Sequence, residues 1–314
     1  MNTSTAASPP ATPTLRLVCS EVWGGNRPIN GPVELPGIRG VLYSNPCDGG
    51  RGGDVHYLSV CGSGLLSRVC LADVAGHGQT VAAIGSEMHH HLRRCMNEVD
   101  QRKVLSRLNQ RLEALGLRAM TTAAAITYYP PTRTLSVSYA GHPPGWFFSK
   151  SSNTWTRLTL DEPEARALVN MPLAIESSAR FTRRAVKVDI GDRLLLVTDG
   201  VLEAPSPARV QFGDEGVEQV LSHAGPAPCA DIGQALMNAL VTHCHVAQPP
   251  SAVSVAAHAP SSASPRKSSP LSHDDVTFAI LEFVPGPTEP GWWLAIRNRV
   301  TRPRGNSTDP PFAA

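Results

Sequence analysis

The 314-residue sequence lacks a dominant charge: 28 Lys and Arg stand against 26 Asp and Glu, a formal net of +2. That near balance excludes a body devoted to polyanion binding, so nucleic acid is not an expected partner. No apolar run approaches the ~18 residues that a membrane span requires. Residues 1–14 are rich in Thr, Pro and Ala, with neither the basic start nor the apolar stretch of a secretory leader. The seven cysteines, Cys19, Cys47, Cys61, Cys70, Cys95, Cys229 and Cys244, are odd in number and contain no CxxC pair. This argues against a disulfide framework or a zinc ribbon and predicts buried or idle thiols in a reducing cytoplasm. Glycine-rich phosphate and dinucleotide loops are also missing at strand-to-helix turns, so nucleotide hydrolysis and hydride transfer have no support. No internal repeat is visible.

Proline, by contrast, is abundant and unevenly placed. Of 28 prolines, three fall in residues 1–15, five in 247–270 and six in 285–314, leaving 14 for the other 245 residues. The distribution predicts a disordered N-terminus over 1–15, a globular body over 16–284 with a Pro/Ser/Ala-rich insertion at about 247–270, and a loose basic tail over 285–314. In that tail Arg297, Arg299, Arg302 and Arg304 follow Trp292 and Trp293, a combination that reads as a solvated end or a docking segment for an acidic surface.

Within the body, Val55 to Cys61 and Arg68 to Ala72 flank a Gly-Ser-Gly turn and read as a hairpin. The period then changes. Val81, Ile84, Met88, Leu92 and Cys95 mark one helical stripe, and Val104, Leu105, Leu108 and Leu112 mark a second, with Gly116 as its stop. Strands follow at Thr121 to Tyr129, Leu135 to Tyr139, Trp146 to Phe148, Ala185 to Val188 and Leu194 to Val197. Helices at Phe212 to Ser222 and Ile232 to His243 precede a last strand at Val276 to Phe283. Strands and helices in separate runs predict a layered α+β domain rather than alternating βαβ units.

Four aspartates stand at strand ends or tight turns: Asp54 after Gly52-Gly53, Asp73 in Asp73-Val74-Ala75-Gly76-His77-Gly78, Asp199 in Thr198-Asp199-Gly200, and Asp274 in Asp274-Asp275-Val276-Thr277. One such motif is an ordinary capping turn. Four together form an all-oxygen donor set, which suits Mg²⁺ or Mn²⁺ and not structural zinc. With Ala140-Gly141-His142-Pro143-Pro144, Asp192, Val201-Leu202-Glu203-Ala204 and Phe212-Gly213, the order resembles the metal-dependent serine/threonine phosphatases of the protein phosphatase 2C superfamily. The branch is that of the bacterial sporulation and sigma-factor-regulating enzymes, and the resemblance runs from about Gly40 to Phe283.

That resemblance implies a four-layer α-β-β-α sandwich with two central, mainly antiparallel sheets, and two Mn²⁺ or Mg²⁺ ions as cofactors. It implies hydrolysis of phosphoserine or phosphothreonine by in-line attack of a metal-bridging hydroxide, with no covalent nucleophile. By motif match Asp73 bridges both ions, the Val74 carbonyl binds one, Asp199 and Asp274 hold the other, and Asp54 binds directly or through water. Gly76, His77 and Gly200 are auxiliary, and Asp275 orients its neighbour or a strand start. The implied partner is a phosphorylated signalling protein in the cytoplasm, with an anti-sigma-factor antagonist as one candidate and a separate regulatory protein as another. Where relatives carry an aromatic pair and a further Asp after Gly-Gly-Asp, this chain reads Val55-His56-Tyr57-Leu58. That departure motivates the rival reading, a catalytically weak or inactive module with the same fold that binds a signalling partner. A phosphatase acting on a small phosphorylated metabolite would use the same centre. His142 is read as structural, His89-His90-His91 as a helical segment pointing three ways, and His243-Cys244-His245 as no metal site.

Overall fold

Alternation along each strand decides which layer a side chain enters. In β5 (Asp54–Val60) and β6 (Ser67–Val74), Leu58, Val60, Val69 and Leu71 join one core, while Val55, Tyr57, Cys70, Ala72 and Val74 join another. The computed structural model describes residues 13–47, 50–75, 79–160, 168–245 and 274–288. The insertion at about 247–270, residues 1–12, the tail from 289 and the Gly76-His77-Gly78 loop lie outside the described residues.

One sheet has seven strands in the order β1 (Leu15–Arg16), β3 (Ile29–Leu35), β4 (Ile38–Asn45), β13 (Val276–Phe283), β12 (Arg193–Val197), β9 (Gly145–Ser149) and β10 (Thr154–Leu158). The other has six: β11 (Arg184–Lys187), β8 (Thr134–Ala140), β7 (Thr121–Tyr129), β6, β5 and β2 (Glu21–Gly25). Every pairing of these strands is antiparallel except β1 with β3.

Leu42, Leu71, Ile126, Leu196 and Phe283 belong to the core between the sheets. Helices α1 (Gln79–Arg94) and α2 (Gln101–Glu113) cover the outer face of the six-stranded sheet through Met88, Leu92, Leu105 and Leu108. Helices α4 (Gly213–Ala224) and α5 (Cys229–His245) cover the seven-stranded sheet through Val217, Leu221, Ile232 and Leu236. The result is the four-layer α-β-β-α sandwich that the resemblance implied. Among the described residues no helix is long and apolar enough to cross a membrane, and none of the seven cysteines forms a disulfide.

Three strands and one helix depart from the sequence reading. β3 carries Gly31 and Pro32, which read as a turn, but β1 pairs only with Val33 and Glu34, so Pro32 owes no donor to an outer neighbour. β2 and β10 end their sheets, and α3 (Asp199–Leu202) is too short to show a period. Just outside the predicted body, Leu15 pairs with Val33, and Gly286 packs against Gly37 and Pro130.

Candidate metal centre

Two strand pairs bring the acids to one mouth of the sandwich. Asp54 opens β5, Asp73 ends one residue short of the close of β6, and the two are direct cross-strand partners. Their side chains therefore share a face, the one that carries Leu58 and Leu71 into the inter-sheet core. On the opposite sheet, Val197 pairs with Phe278, which sets Thr198 beside Thr277 and leaves Asp199, Asp274 and Asp275 just past the strand ends. Thr198 and Thr277 bond through Thr198 N–H to Thr277 O at 2.9 Å.

Two glycines permit this convergence. A Cβ on Gly200 would stand 1.9 Å from the Asp275 carbonyl oxygen, so the first turn of α3 can lie on the 274–275 backbone only without a side chain there. A Cβ on Gly52 would stand 2.2 Å from Asp275 Oδ2. The Asp275 carboxylate fills that space and accepts from Cys47 N at 2.7 Å, from Asp54 N at 3.2 Å and from Gly53 N. Asp275 thus pins the Gly52-Gly53-Asp54 loop of the facing sheet. Asp274 is exposed, and its Oδ1 accepts from Asp275 N at 2.8 Å. Val74 N–H donates to Gly53 O at 3.1 Å, tying the ends of β5 and β6 together.

The electrostatics are those of anions crowded without a counter-charge. Burial raises the Asp73 pKa to about 7, reinforced by Asp199, Asp274, Asp275 and Glu203. Asp54, also buried, is held well above the usual carboxylate range by desolvation and by Asp73, against the opposing hydrogen bonds of Thr277 and Thr198. Asp199 is raised by burial, then by Asp274 and Glu203. Among the described residues no Lys or Arg forms an ion pair with any of these acids. Oxygen donors alone, partly dry and uncompensated, fit a hard divalent cation. Among the described residues no three His, Cys, Asp or Glu side chains already converge in ligating geometry, so closing around an ion calls for side-chain rotation.

Sequence reasoning assigned no role to Thr198, Thr277 or Glu203. Glu203 lies one turn after Asp199, a spacing that could have signalled it. The three histidine readings have clear placements. His142 Nδ1 lies 2.9 Å from Pro143 O and its ring stacks on Tyr139. His91 Nε2 sits buried 3.1 Å from Val104 O, whereas His90 is exposed. His243 Nε2 lies 2.9 Å from Val210 O.

Sheets, layers and an acid-lined mouth together define a phosphatase fold of the protein phosphatase 2C type. Residues 66–250, more than half of the sequence, match the family model described as Stage II sporulation protein E (SpoIIE), and the chain belongs to that family. Solved structures with the same fold include the RsbU and RsbW domains of a Mycobacterium tuberculosis protein, at 19% identity and a TM-score of 0.60, covering 83% of this chain and 64% of that one. The SiaA-PP2C domain of Pseudomonas aeruginosa matches at 16% identity and a TM-score of 0.58, covering 77% of this chain and 85% of that one. RsbX in complex with magnesium matches at 14% identity and a TM-score of 0.54, covering 81% of this chain and 100% of that one. This chain therefore spans less than two thirds of the mycobacterial chain. No curated protein sequence matches.

Proposed function

We propose that the chain is a divalent-cation-dependent protein phosphatase that hydrolyses phosphoserine or phosphothreonine on a signalling protein in the cytoplasm. The observation that carries this reading is the set of uncompensated carboxylates, Asp54 and Asp73 from one sheet and Asp199 and Asp274 from the other, at the mouth of a SpoIIE-family sandwich. When bound, Mn²⁺ or Mg²⁺ would supply positive charge for the phosphoryl oxygens and acidify water. Asp73, the cross-strand partner of Asp54 and the acid that feels Asp199 and Asp274 of the other sheet, is the residue suited to contact two ions. Asp199 and Asp274 would hold one of them, with Gly200 giving the backbone room, the Val74 carbonyl would serve the other, and Asp54 would bind directly or through water. Direct hydrolysis by a cation-acidified water calls for no side-chain nucleophile. The magnesium complex of RsbX supports the choice of ion. The RsbU and RsbW domains of the mycobacterial relative support a signalling role, and an anti-sigma-factor antagonist is the substrate to try first.

The test is phosphate release from p-nitrophenyl phosphate and from a phosphorylated antagonist protein in Mn²⁺. Asp73→Asn and Asp199→Asn should each lower the rate by about 100-fold or more, roughly 2.7 kcal/mol of barrier. A wild type inactive with every divalent cation, or variants as active as wild type, would reject the reading. Partner binding without turnover would instead identify a non-catalytic module.

A further inference from the structure

The residue before Asp199 behaves unlike an ordinary helix cap. Thr198 is the N-cap of α3 with extended backbone (φ −79°, ψ 166°), yet its side chain makes no capping hydrogen bond. A capping Thr typically contributes about 1 kcal/mol by accepting from the first turn. Here the hydroxyl turns away and donates to Asp54 Oδ2 at 2.8 Å, across 144 residues of sequence and from one sheet to the other, with the Thr277 carbonyl oxygen, at 3.2 Å, the more distant of its two acceptors. The Thr198 hydroxyl oxygen also accepts from Thr277 N at 3.1 Å. Thr198 and Thr277 are fully buried and Asp54 is 3% exposed, so no water substitutes readily for either partner. Thr277 is itself anchored, its hydroxyl donating to Ser44 Oγ at 2.8 Å. The Asp275 carboxylate holds the backbone of the Asp54 loop, and the Thr198 hydroxyl holds the Asp54 side chain. The second bond sets the direction of that carboxylate.

We propose that Thr198 is a positioning residue of the carboxylate centre: its hydroxyl, given up as a helix cap, orients Asp54 from the opposite sheet and so sets the spacing between the two halves of the centre. The inference rests on the reading of that centre as a divalent-cation site. It needs no contact between Thr198 and an ion. A hydroxyl lost at a dry site leaves a buried carboxylate with one donor fewer, and Asp54 can then leave the orientation in which it faces Asp73.

Calorimetric titration of Mn²⁺ into the full chain tests this without turnover. Thr198→Val should weaken Mn²⁺ by about 10-fold, equivalent to roughly 1.4 kcal/mol, while Thr198→Ser, which keeps the hydroxyl, should stay within about two-fold. In an Asp54→Ala background Thr198→Val should cost nothing more, because the acceptor of the bond it removes is already gone. If Thr198→Val does not fold, Thr198→Ala carries the same expectation. Wild-type affinity in the folded Val or Ala variant, a Ser variant as weak as Val, or an undiminished loss in the Asp54→Ala background would each overturn the inference alone. A wild type that binds no Mn²⁺ would overturn the functional reading and this inference with it.

Discussion

His142 shows how a single side chain can tie stability to pH away from the acid cluster. His142 is 4% exposed, Nε2 has no hydrogen-bond partner among the described residues, and burial lowers its pKa to about 4 despite the Pro143 carbonyl. In the unfolded chain the same imidazole titrates near 6.5. Between those values the unfolded state binds the extra proton, so stability is complete above about pH 6.5 and falls as pH falls toward 4. From pH 7 to 4.5 that one residue should cost about 2 kcal/mol. His142→Gln, compared by urea unfolding at both pH values, should show a correspondingly smaller loss. His56, also lowered to about 4 by burial, contributes equally to both proteins and cancels. Equal acid losses in the two proteins would mean that the ring is solvated.

Arg68 does comparable service between elements. From β6 it donates to Cys95 O at 3.1 Å, to Glu98 O and to Gln101 Oε1 at 3.4 Å, tying the strand to the connection between α1 and α2. These carbonyls lie just past the end of α1, where the helix dipole favours a cation. Arg68→Met keeps the stem but strands buried acceptors, and should cost about 2–4 kcal/mol by urea midpoint. Arg68→Lys should recover part of it. A loss under ~0.5 kcal/mol would place the connection in water.

The helices that Arg68 joins were legible because their apolar stripes span several turns. β7, β12 and β13 were legible as apolar runs. β3, broken by Gly31-Pro32, was hidden because only its place near a sheet edge excuses the proline. The site divides in the same way. Acid-and-glycine turns are local, so Asp54, Asp73, Asp199 and Asp274 could be singled out from sequence. The Thr198 bond to Asp54 and the Asp275 bond to Gly53 join residues 144 and 222 positions apart, and no spacing rule carries such pairs.

Across the whole molecule a net charge of +2 conceals strong local imbalance, since Asp54, Asp73, Asp199, Asp274, Asp275 and Glu203 gather at one mouth with no paired cation among the described residues. The acids come from both sheets, so their repulsion works against sandwich closure, and a cation that binds them works for it. Two opposite effects of one substitution follow. Without divalent ions, Asp73→Asn removes a buried charge from among its like neighbours and should melt higher than wild type, by several degrees for about 1–3 kcal/mol relieved. With Mn²⁺ at 1,000 times its dissociation constant, wild type should gain about 4.1 kcal/mol, while the variant gains little, so the order of melting reverses. Differential scanning calorimetry in EDTA and then in Mn²⁺ reads both effects on the same samples. An Asp73→Asn variant that melts below wild type in EDTA, or that Mn²⁺ stabilises as much as wild type, would show that Asp73 carries neither the repulsion nor the ion.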